Sequence, residues 1–404
     1  MVLRQALVIV CGALALHAQE SRALELKARG DAAGALAAWE KAAAENPKSA
    51  RIQDEIGFLL AVLNRQDEAV RRFARAIDLD PRYAPAHYHL GVAYWLRQDP
   101  AQAIPQLETA AALDARNFEY RFYLGHALND TAHYAEAVPH LQQATAINPG
   151  HSEAWNQLGL ALQNTGDSAA ALEAYRRAVR LDAGNLDARN NLGFVLVNTG
   201  RAAEGLAEFG KILDADPANN MARVNIGFAH LQKAELAQAE AAFREVIRRD
   251  DASAIAHYDL GVTLKQKDDL EAAKSELRRA LALDGSLSEA HYTMGIIHWQ
   301  SGEFADAARE MRAAIALKPD YGEAYFMLGT ALKQQGDLDA AERALRAAIQ
   351  LEPANPGPYN TLGQVLRAKG DAEGGRAAFA EGARAKENKE AELGKMLQKR
   401  PPVR

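Results

Sequence analysis

A glycine recurs every 34 residues along this sequence of 404 residues, ten times in succession and without an insertion. The ten positions are Gly57, Gly91, Gly125, Gly159, Gly193, Gly227, Gly261, Gly295, Gly329 and Gly363. Another small residue follows each glycine after twelve positions: Ala69, Ala103, Ala137, Ala171, Gly205, Ala239, Ala273, Ala307, Ala341 and Gly375. A period of this length indicates a stack of short structural units rather than one compact core.

The composition predicts that each unit is helical. Ala, Leu, Glu and Arg are abundant, aromatic residues make up only 7% of the chain, and no segment is rich in β-branched residues. A glycine inside a helix costs about 1 kcal/mol relative to alanine, so ten of them need a compensating reason. We expect each glycine to face the small residue of the next helix, which would let two antiparallel helices approach closely.

Helix-ending residues also keep fixed places within the period. Seven residues after the helix-centre position stand Gly30, Gly166, Gly200, Gly302, Gly336 and Gly370, where a left-handed residue can end the first helix. The second helix is closed in six units by Pro47, Pro81, Pro149, Pro217, Pro319 and Pro353. Each unit is therefore predicted to be a helix-turn-helix.

The pattern within one unit resembles the tetratricopeptide repeat (TPR). The residues that carry the resemblance are Trp155, Leu158, Gly159, Leu162, Ala171, Tyr175 and Ala178. It implies an all-α fold, a right-handed superhelical solenoid of antiparallel helix pairs. Ten repeats of 34 residues would fill 50–389, after a divergent first copy at 19–49 and before the end of a capping helix and a basic tail at 390–404.

The first 18 residues have the order of a secretory signal peptide. Arg4 precedes an apolar run from Ala6 to Leu16, and small and polar residues follow, with cleavage expected after Ala18. The run is too short to span a bilayer, so no permanent membrane span is predicted. We expect an exported protein, periplasmic or secreted; the alternative is a cytoplasmic chain whose first apolar helix is retained. Removal of this segment would also remove Cys11, the single cysteine.

In the TPR family the first helices line a concave groove, so the resemblance implies that repeat positions 2, 5, 6, 9, 12 and 13 contact a peptide. Amides occupy many of these positions in the middle of the array: Asn156, Gln157, Asn164, Asn190, Asn191, Asn198, Asn225 and Gln232. An exposed amide offers a donor and an acceptor to an extended chain. The row resembles the asparagine ladder in the TPR region of O-linked N-acetylglucosamine transferases. Alternatively, these amides only suit a wet surface and cap local turns.

Aromatic residues occupy the fifth repeat position toward both ends of the array. They are Tyr88, Phe122, Tyr258, Tyr292 and Phe326, and Trp95 and Trp299 stand at the twelfth position. Such rings can anchor apolar side chains of a partner, and on this ground Tyr258 and Tyr292 join the predicted groove. The alternative is that they fill space between adjacent repeats. No Lys or Arg occupies the fifth position from residue 50 onward, which argues against a receptor for chaperone C-termini.

No catalytic motif, cofactor fingerprint or metal-ligand spacing stands out in the sequence. His87, His257 and His291 share the fourth repeat position, so we expect each to belong to the helix seam of its own repeat. His126 is predicted on the groove side, beside Asn129 and Asp130, but a lone imidazole with one carboxylate is a weak signal. No metal, cofactor or enzymatic activity is predicted.

The leading functional prediction is a non-catalytic scaffold that binds extended or helical segments of other proteins or peptides. The alternative is a substrate-recruiting subunit of a glycosyltransferase or polysaccharide-export complex, with catalysis on another chain. The net charge of −6 argues against nucleic acid as a partner, because no global attraction for phosphate exists. The sequence makes no prediction of the oligomeric state.

Overall fold

The computed structural model describes residues 17–398, and side chains as far as residue 391. The apolar run of the predicted signal peptide therefore lies outside the described residues. Within the described range the chain forms 22 helices and no strand. This confirms the predicted all-α solenoid of helix pairs.

The helices alternate between a first and a second helix of each repeat. The first helices are α1 (17–28), α3 (Ala50–Val62), α5 (Ala84–Leu96), α7 (Phe118–Asp130), α9 (Ser152–Asn164), α11 (Leu186–Asn198), α13 (Asn220–Gln232), α15 (Ala254–Gln266), α17 (Ser288–Gln300), α19 (Gly322–Gln335) and α21 (Pro356–Ala368). The second helices are α2 (Ala32–Glu45), α4 (Gln66–Leu79), α6 (Pro100–Leu113), α8 (Tyr134–Ile147), α10 (Ser168–Leu181), α12 (Ala202–Ala215), α14 (Leu236–Arg249), α16 (Leu270–Leu283), α18 (Phe304–Leu317), α20 (Leu338–Leu351) and α22 (Ala372–Gln398).

Short polar residues start many of these helices, and a left-handed residue ends the first helix of each repeat. Asp167 Oδ1 accepts a hydrogen bond from Ala170 N at 3.0 Å, which satisfies a free amide at the start of α10. The six predicted glycines have positive φ, between 75° and 91°. Non-glycine residues adopt the same conformation in the other five repeats: Asn64, Gln98, Ala132, Ala234 and Asp268.

The repeat glycines lie against a large side chain of the second helix. A Cβ added to Gly159 would lie 2.6 Å from the ring of Tyr175, which is fully buried, and sixteen residues likewise separate Gly91 from Leu107. The prediction that each glycine faces the small residue of the next helix is therefore incomplete, because a larger side chain lies nearer. The larger side chain follows the small residue by one turn and points back toward the helix N-terminus, over the glycine. The small residue brings its backbone close: the Ala103 carbonyl oxygen would be 3.2 Å from the same Cβ on Gly91.

A polar contact joins the two helices of six repeats, between the residue at repeat position 4 and the residue 19 positions later. We call it the seam pair. The six seam pairs are Gln53 with Arg72, His87 with Gln106, Arg121 with His140, Arg189 with Glu208, His257 with Glu276, and His291 with Glu310, at 2.6–2.9 Å. The three histidines of the fourth position thus lie in the seams of separate repeats, as predicted.

The chain divides into two compact units, Met1–Glu208 and Phe209–Arg404. In the first unit the first helices contact one another in the order α3, α5, α7, α9 and α11, and in the second unit in the order α13, α15, α17, α19 and α21. Buried Ala, Leu and aromatic side chains form the cores between these layers, such as Trp39 and Phe73 in the first unit and Phe243 and Met311 in the second. Among the described helices, none is long and apolar enough to cross a membrane.

Candidate peptide-binding face

The residues at repeat positions 2, 5, 6, 9, 12 and 13 of the first helices form what we call the first-helix face of each unit. Because consecutive first helices touch, positions 5 and 6 of one repeat lie against the neighbouring repeat. Position 12 also contacts the next repeat, as Asn129 does with Gln157. This packing decides which of the predicted groove residues a ligand could reach.

Three of the predicted groove amides are buried. Asn156, Gln157 and Asn225 expose only 5%, 8% and 7% of their surface, so the expectation that they are exposed is wrong. The physical reason is their use in contacts between repeats. Asn129 Nδ2 donates to both the backbone and side-chain oxygens of Gln157 at 2.9 Å, and Asn191 Nδ2 donates to Asn156 Oδ1 at 3.0 Å.

The remaining predicted amides differ in exposure. Asn190 and Asn191 are half-buried, and Asn190 has a partner within the protein. Asn164, Asn198 and Gln232, all at repeat position 13, are exposed. The Asn164 Nδ2 donates to the Leu160 carbonyl of its own helix, which leaves its Oδ1 available as an acceptor. Only this subset has the exposure that the predicted ladder requires.

Aromatic rings of the first unit fill the space between first helices. The ring of Tyr88 lies 5.0 Å from that of Tyr120, and burial raises the pKa of the Tyr88 hydroxyl. His126 packs between the rings of Trp95 and Phe122, at 4.9 Å and 5.7 Å. Packing between adjacent repeats therefore describes these aromatic side chains better than anchoring the apolar side chains of a partner.

In the second unit, Tyr258 and Tyr292 are likewise packed within the protein. Both are half-buried, and burial raises the pKa of both hydroxyl groups. The Tyr292 ring lies 5.0 Å from that of Tyr321, the residue that immediately precedes α19. Beside Tyr258, burial raises the pKa of Asp259 to about 7, because the carboxylate loses its hydration. This carboxylate at repeat position 6 is missed by the sequence prediction, although it follows Asn225 at the same position.

An apolar pocket that the sequence prediction also missed opens on the first-helix face at the start of the first unit. Its volume is about 320 Å³, and its lining includes Phe58, Tyr88 and Val92. Two further lining residues at repeat position 13, Val62 and Leu96, expose 58% and 64% of their surface. The only signal in the sequence is that position 13 is apolar in these two repeats and polar or small in the others.

One group of potential metal ligands occurs in the described part of the chain. Ligand atoms of His298, Glu303 and Asp306 lie within 4.8 Å of one another. The buried Lys274 places its Nζ 3.2 Å from the Glu303 carboxylate, and His298 Nδ1 hydrogen-bonds to the same carboxylate. These two donors hold the pKa of Glu303 below its usual range. The Lys274 ammonium group thus already pairs with the Glu303 carboxylate.

Family models of the tetratricopeptide repeat match most of the chain. One model matches residues 224–287, 292–356 and 326–390, a second matches 112–231, and a TPR repeat model matches 59–98. A search of curated proteins found no match.

Solved TPR structures share the fold. A tetratricopeptide repeat protein from Parabacteroides merdae is 13% identical, with a TM-score of 0.57 over 62% of this chain and 98% of its own. Yeast Tom70 is 14% identical, with a TM-score of 0.52 over 95% of this chain and 94% of its own. YrrB, described as a TPR protein with an unusual peptide-binding site, is 27% identical over 46% of this chain and 95% of its own, with a TM-score of 0.43. From its period, its helix pairs and these matches, the chain belongs to the tetratricopeptide repeat family.

Proposed function

We propose that this chain is a non-catalytic interaction scaffold that binds extended or helical segments of other polypeptides along the first-helix face of its first unit. The observation that carries the proposal is the apolar pocket between α3 and α5. Val62 and Leu96 remain largely exposed beside it. Covering such side chains with an apolar group of a partner is favourable, at about 25 cal/mol per Å² of buried apolar surface.

The exposed amides of the same unit complement this pocket. Asn164 and Asn198 occupy the same repeat position as Val62 and Leu96, two and three repeats after Leu96. A partner that places an apolar side chain in the pocket would present its backbone or polar side chains to these amides. Each such hydrogen bond contributes about 0.5 to 1.5 kcal/mol, so the pocket supplies the larger part of the affinity.

The test is peptide selection followed by substitution at the pocket rim. Twelve-residue peptides selected on the parent protein from a random display library are measured by fluorescence anisotropy against V62E/L96E. The double variant should weaken binding roughly tenfold or more, because two charges replace the apolar rim. Both side chains are exposed, so the melting temperature should stay close to that of the parent.

The matched control is L317E/L351E, in which two exposed apolar residues at the ends of second helices of the second unit are replaced. This variant should bind the selected peptides as the parent does. If V62E/L96E retains full affinity, the pocket does not carry the interaction.

We also propose that the protein is exported. The arrangement of Arg4, the apolar run and the small residues before Gln19 supports this proposal. Mass spectrometry of the protein isolated from its native host should find a chain that begins near Gln19. An intact Met1 in a cytosolic fraction would contradict it.

A further inference from the structure

A second apolar crevice lies on the opposite side of the helix pairs, between the second helices α8 and α10. The first helix α9 forms its floor. Its volume is about 600 Å³, and its lining includes Trp155, Leu158 and Leu162 of α9. The volume is in the range of ligand-binding pockets. None of its lining residues belongs to the first-helix face.

The repeat that contains this crevice lacks a seam pair. In six repeats, a side-chain hydrogen bond joins the residue at position 4 to the residue that follows it by 19 positions. In this repeat the two positions hold Trp155 and Ala174. The Trp155 Nε1 donates to the Pro149 carbonyl oxygen at 3.0 Å, so the indole lies along the wall. Ala174 stands at the second position of the seam pair, where its methyl group is too small to reach Trp155 as a polar side chain would.

Positive charge borders this apolar floor. Arg177 and Arg180 of α10 line the crevice and are exposed, and among the described residues neither has a hydrogen-bond or ion-pair partner. The one carboxylate of the lining, Glu173, is bound by Arg176 at 2.8 Å. Two unpaired guanidinium groups thus lie beside an apolar surface in a chain whose net charge is negative.

The second unit contains a crevice of the same kind that no unpaired arginine lines. It lies at the last repeat, where Tyr359 and Ala378 occupy the two seam positions, and its volume is about 400 Å³. Its one lining arginine, Arg346, is paired with Glu342, and of its two lining carboxylates, Asp371 and Glu381, the second is paired with Arg384. The charge beside the first crevice is therefore a property of that repeat and not of the fold.

We propose that the crevice between α8 and α10 is a second polypeptide-binding site, which takes an apolar side chain followed by carboxylate side chains of an acidic segment. The apolar side chain packs on Leu158, Leu162 and Trp155. The carboxylates pair with Arg177 and Arg180, whose planar guanidinium groups suit them. This site does not depend on the first-helix face.

The probe is a capped tetrapeptide of glycine, 4-fluorophenylalanine and two aspartates, observed by the width of its fluorine NMR signal. With the full-length protein the signal should broaden. The matched peptide with two asparagines in place of the aspartates should bind more weakly, by a factor of up to roughly ten, because it lacks the two negative charges. Added salt should weaken binding of the acidic peptide and leave the neutral peptide nearly unaffected.

Two variants test the two halves of the site. R177E/R180E changes only exposed side chains and should weaken the acidic peptide roughly tenfold or more. W155H/A174E installs the seam pair that the repeats of His257 and His291 already contain, so it should fold. It removes the indole that packs against the apolar side chain and adds a carboxylate beside the crevice, so it should weaken the acidic peptide. Its melting curve is measured alongside. V62E/L96E alters the first-helix face and should bind the acidic peptide as the parent does.

The results that overturn the proposal are distinct from those that test the first-helix face. They are no broadening with the parent protein, equal binding of the acidic and neutral peptides, or parental affinity in R177E/R180E. A folded W155H/A174E that binds as the parent does would also exclude the crevice. Loss of binding in V62E/L96E alone would place the acidic peptide on the first-helix face instead.

Discussion

The residue that ends each first helix has a left-handed backbone in all eleven repeats, although only six of these residues are glycine. At the other five, a Cβ opposes the conformation at a cost of about 1 kcal/mol. Ala234, with a φ of 56°, has no polar side chain that could offset this cost through a local hydrogen bond. The turn is therefore imposed by the packing of the two helices and not by the residue itself.

Replacing Ala234 by glycine should raise the free energy of unfolding by about 0.5 to 1 kcal/mol, because the strained Cβ is removed. Ala241 is the matched control, since it is exposed in the middle of the adjacent helix α14. Ala241→Gly should lower the free energy of unfolding by about 1 kcal/mol. Urea denaturation measures both variants. The same sign for both would show that the left-handed turn is not strained.

The negative charge of Asp259 opposes folding, because the folded chain buries this carboxylate. Burial raises its pKa to about 7 from the usual 3.8, so between these values the folded state holds a proton that the unfolded chain has lost. The stabilisation from this proton is present below about pH 4 and is lost as the pH rises to 7. Asp259→Asn should therefore stabilise the protein by about 1 to 3 kcal/mol at pH 8 and have little effect at pH 4. Urea denaturation at both values tests this, and an equal effect at both would contradict it.

At the scale of helices, the period in the sequence is sufficient to predict the helix pairs, because glycine, proline and apolar positions recur in register. The burial of Gln157 and Asn225 could not be predicted in the same way, since it depends on how closely consecutive first helices pack. The bond from Asn191 to Asn156 joins residues 35 positions apart. By contrast, the absence of a seam pair at Trp155 and Ala174 is visible in the sequence once the six pairs are known.

The close contact between paired helices predicts a local response to a larger side chain. Gly227→Leu should destabilise its repeat by about 1 to 3 kcal/mol, because even a Cβ there would lie 2.5 Å from the ring of Phe243. Hydrogen exchange should show lost protection first in α13, α14 and their neighbours. Gly210→Ala is the control, since its Cβ would meet no atom within 4 Å, and it should not destabilise the protein. Uniform loss of protection along the chain would contradict a stack of locally coupled repeats.

At the scale of the whole molecule, each repeat is stabilised mainly by its neighbours, so bonds between repeats affect cooperativity as well as stability. The hydrogen bonds between amide side chains of consecutive first helices are bonds of this kind. Asn129 and Gln157 join α7 to α9, and Asn156 and Asn191 join α9 to α11. A sequence-based design that treats these amides as a free binding surface would therefore weaken the stack.

Changing Gln157, Asn191 and Asn225 together to alanine should lower the free energy of unfolding by about 2 to 6 kcal/mol, because buried partners lose their hydrogen bonds. The thermal transition should also broaden as repeats uncouple. Changing the exposed Asn164, Asn198 and Gln232 to alanine should leave the melting temperature nearly unchanged. If Asn164 and Asn198 contact a ligand on the first-helix face of the first unit, the variant with the exposed amides replaced should still weaken the selected peptides, by up to roughly tenfold for each bond lost. Calorimetric melting of both triple variants distinguishes amides that stabilise the stack from amides that are free to bind a ligand. If the variant of Gln157, Asn191 and Asn225 melts as the parent does, these amides do not hold the repeats together.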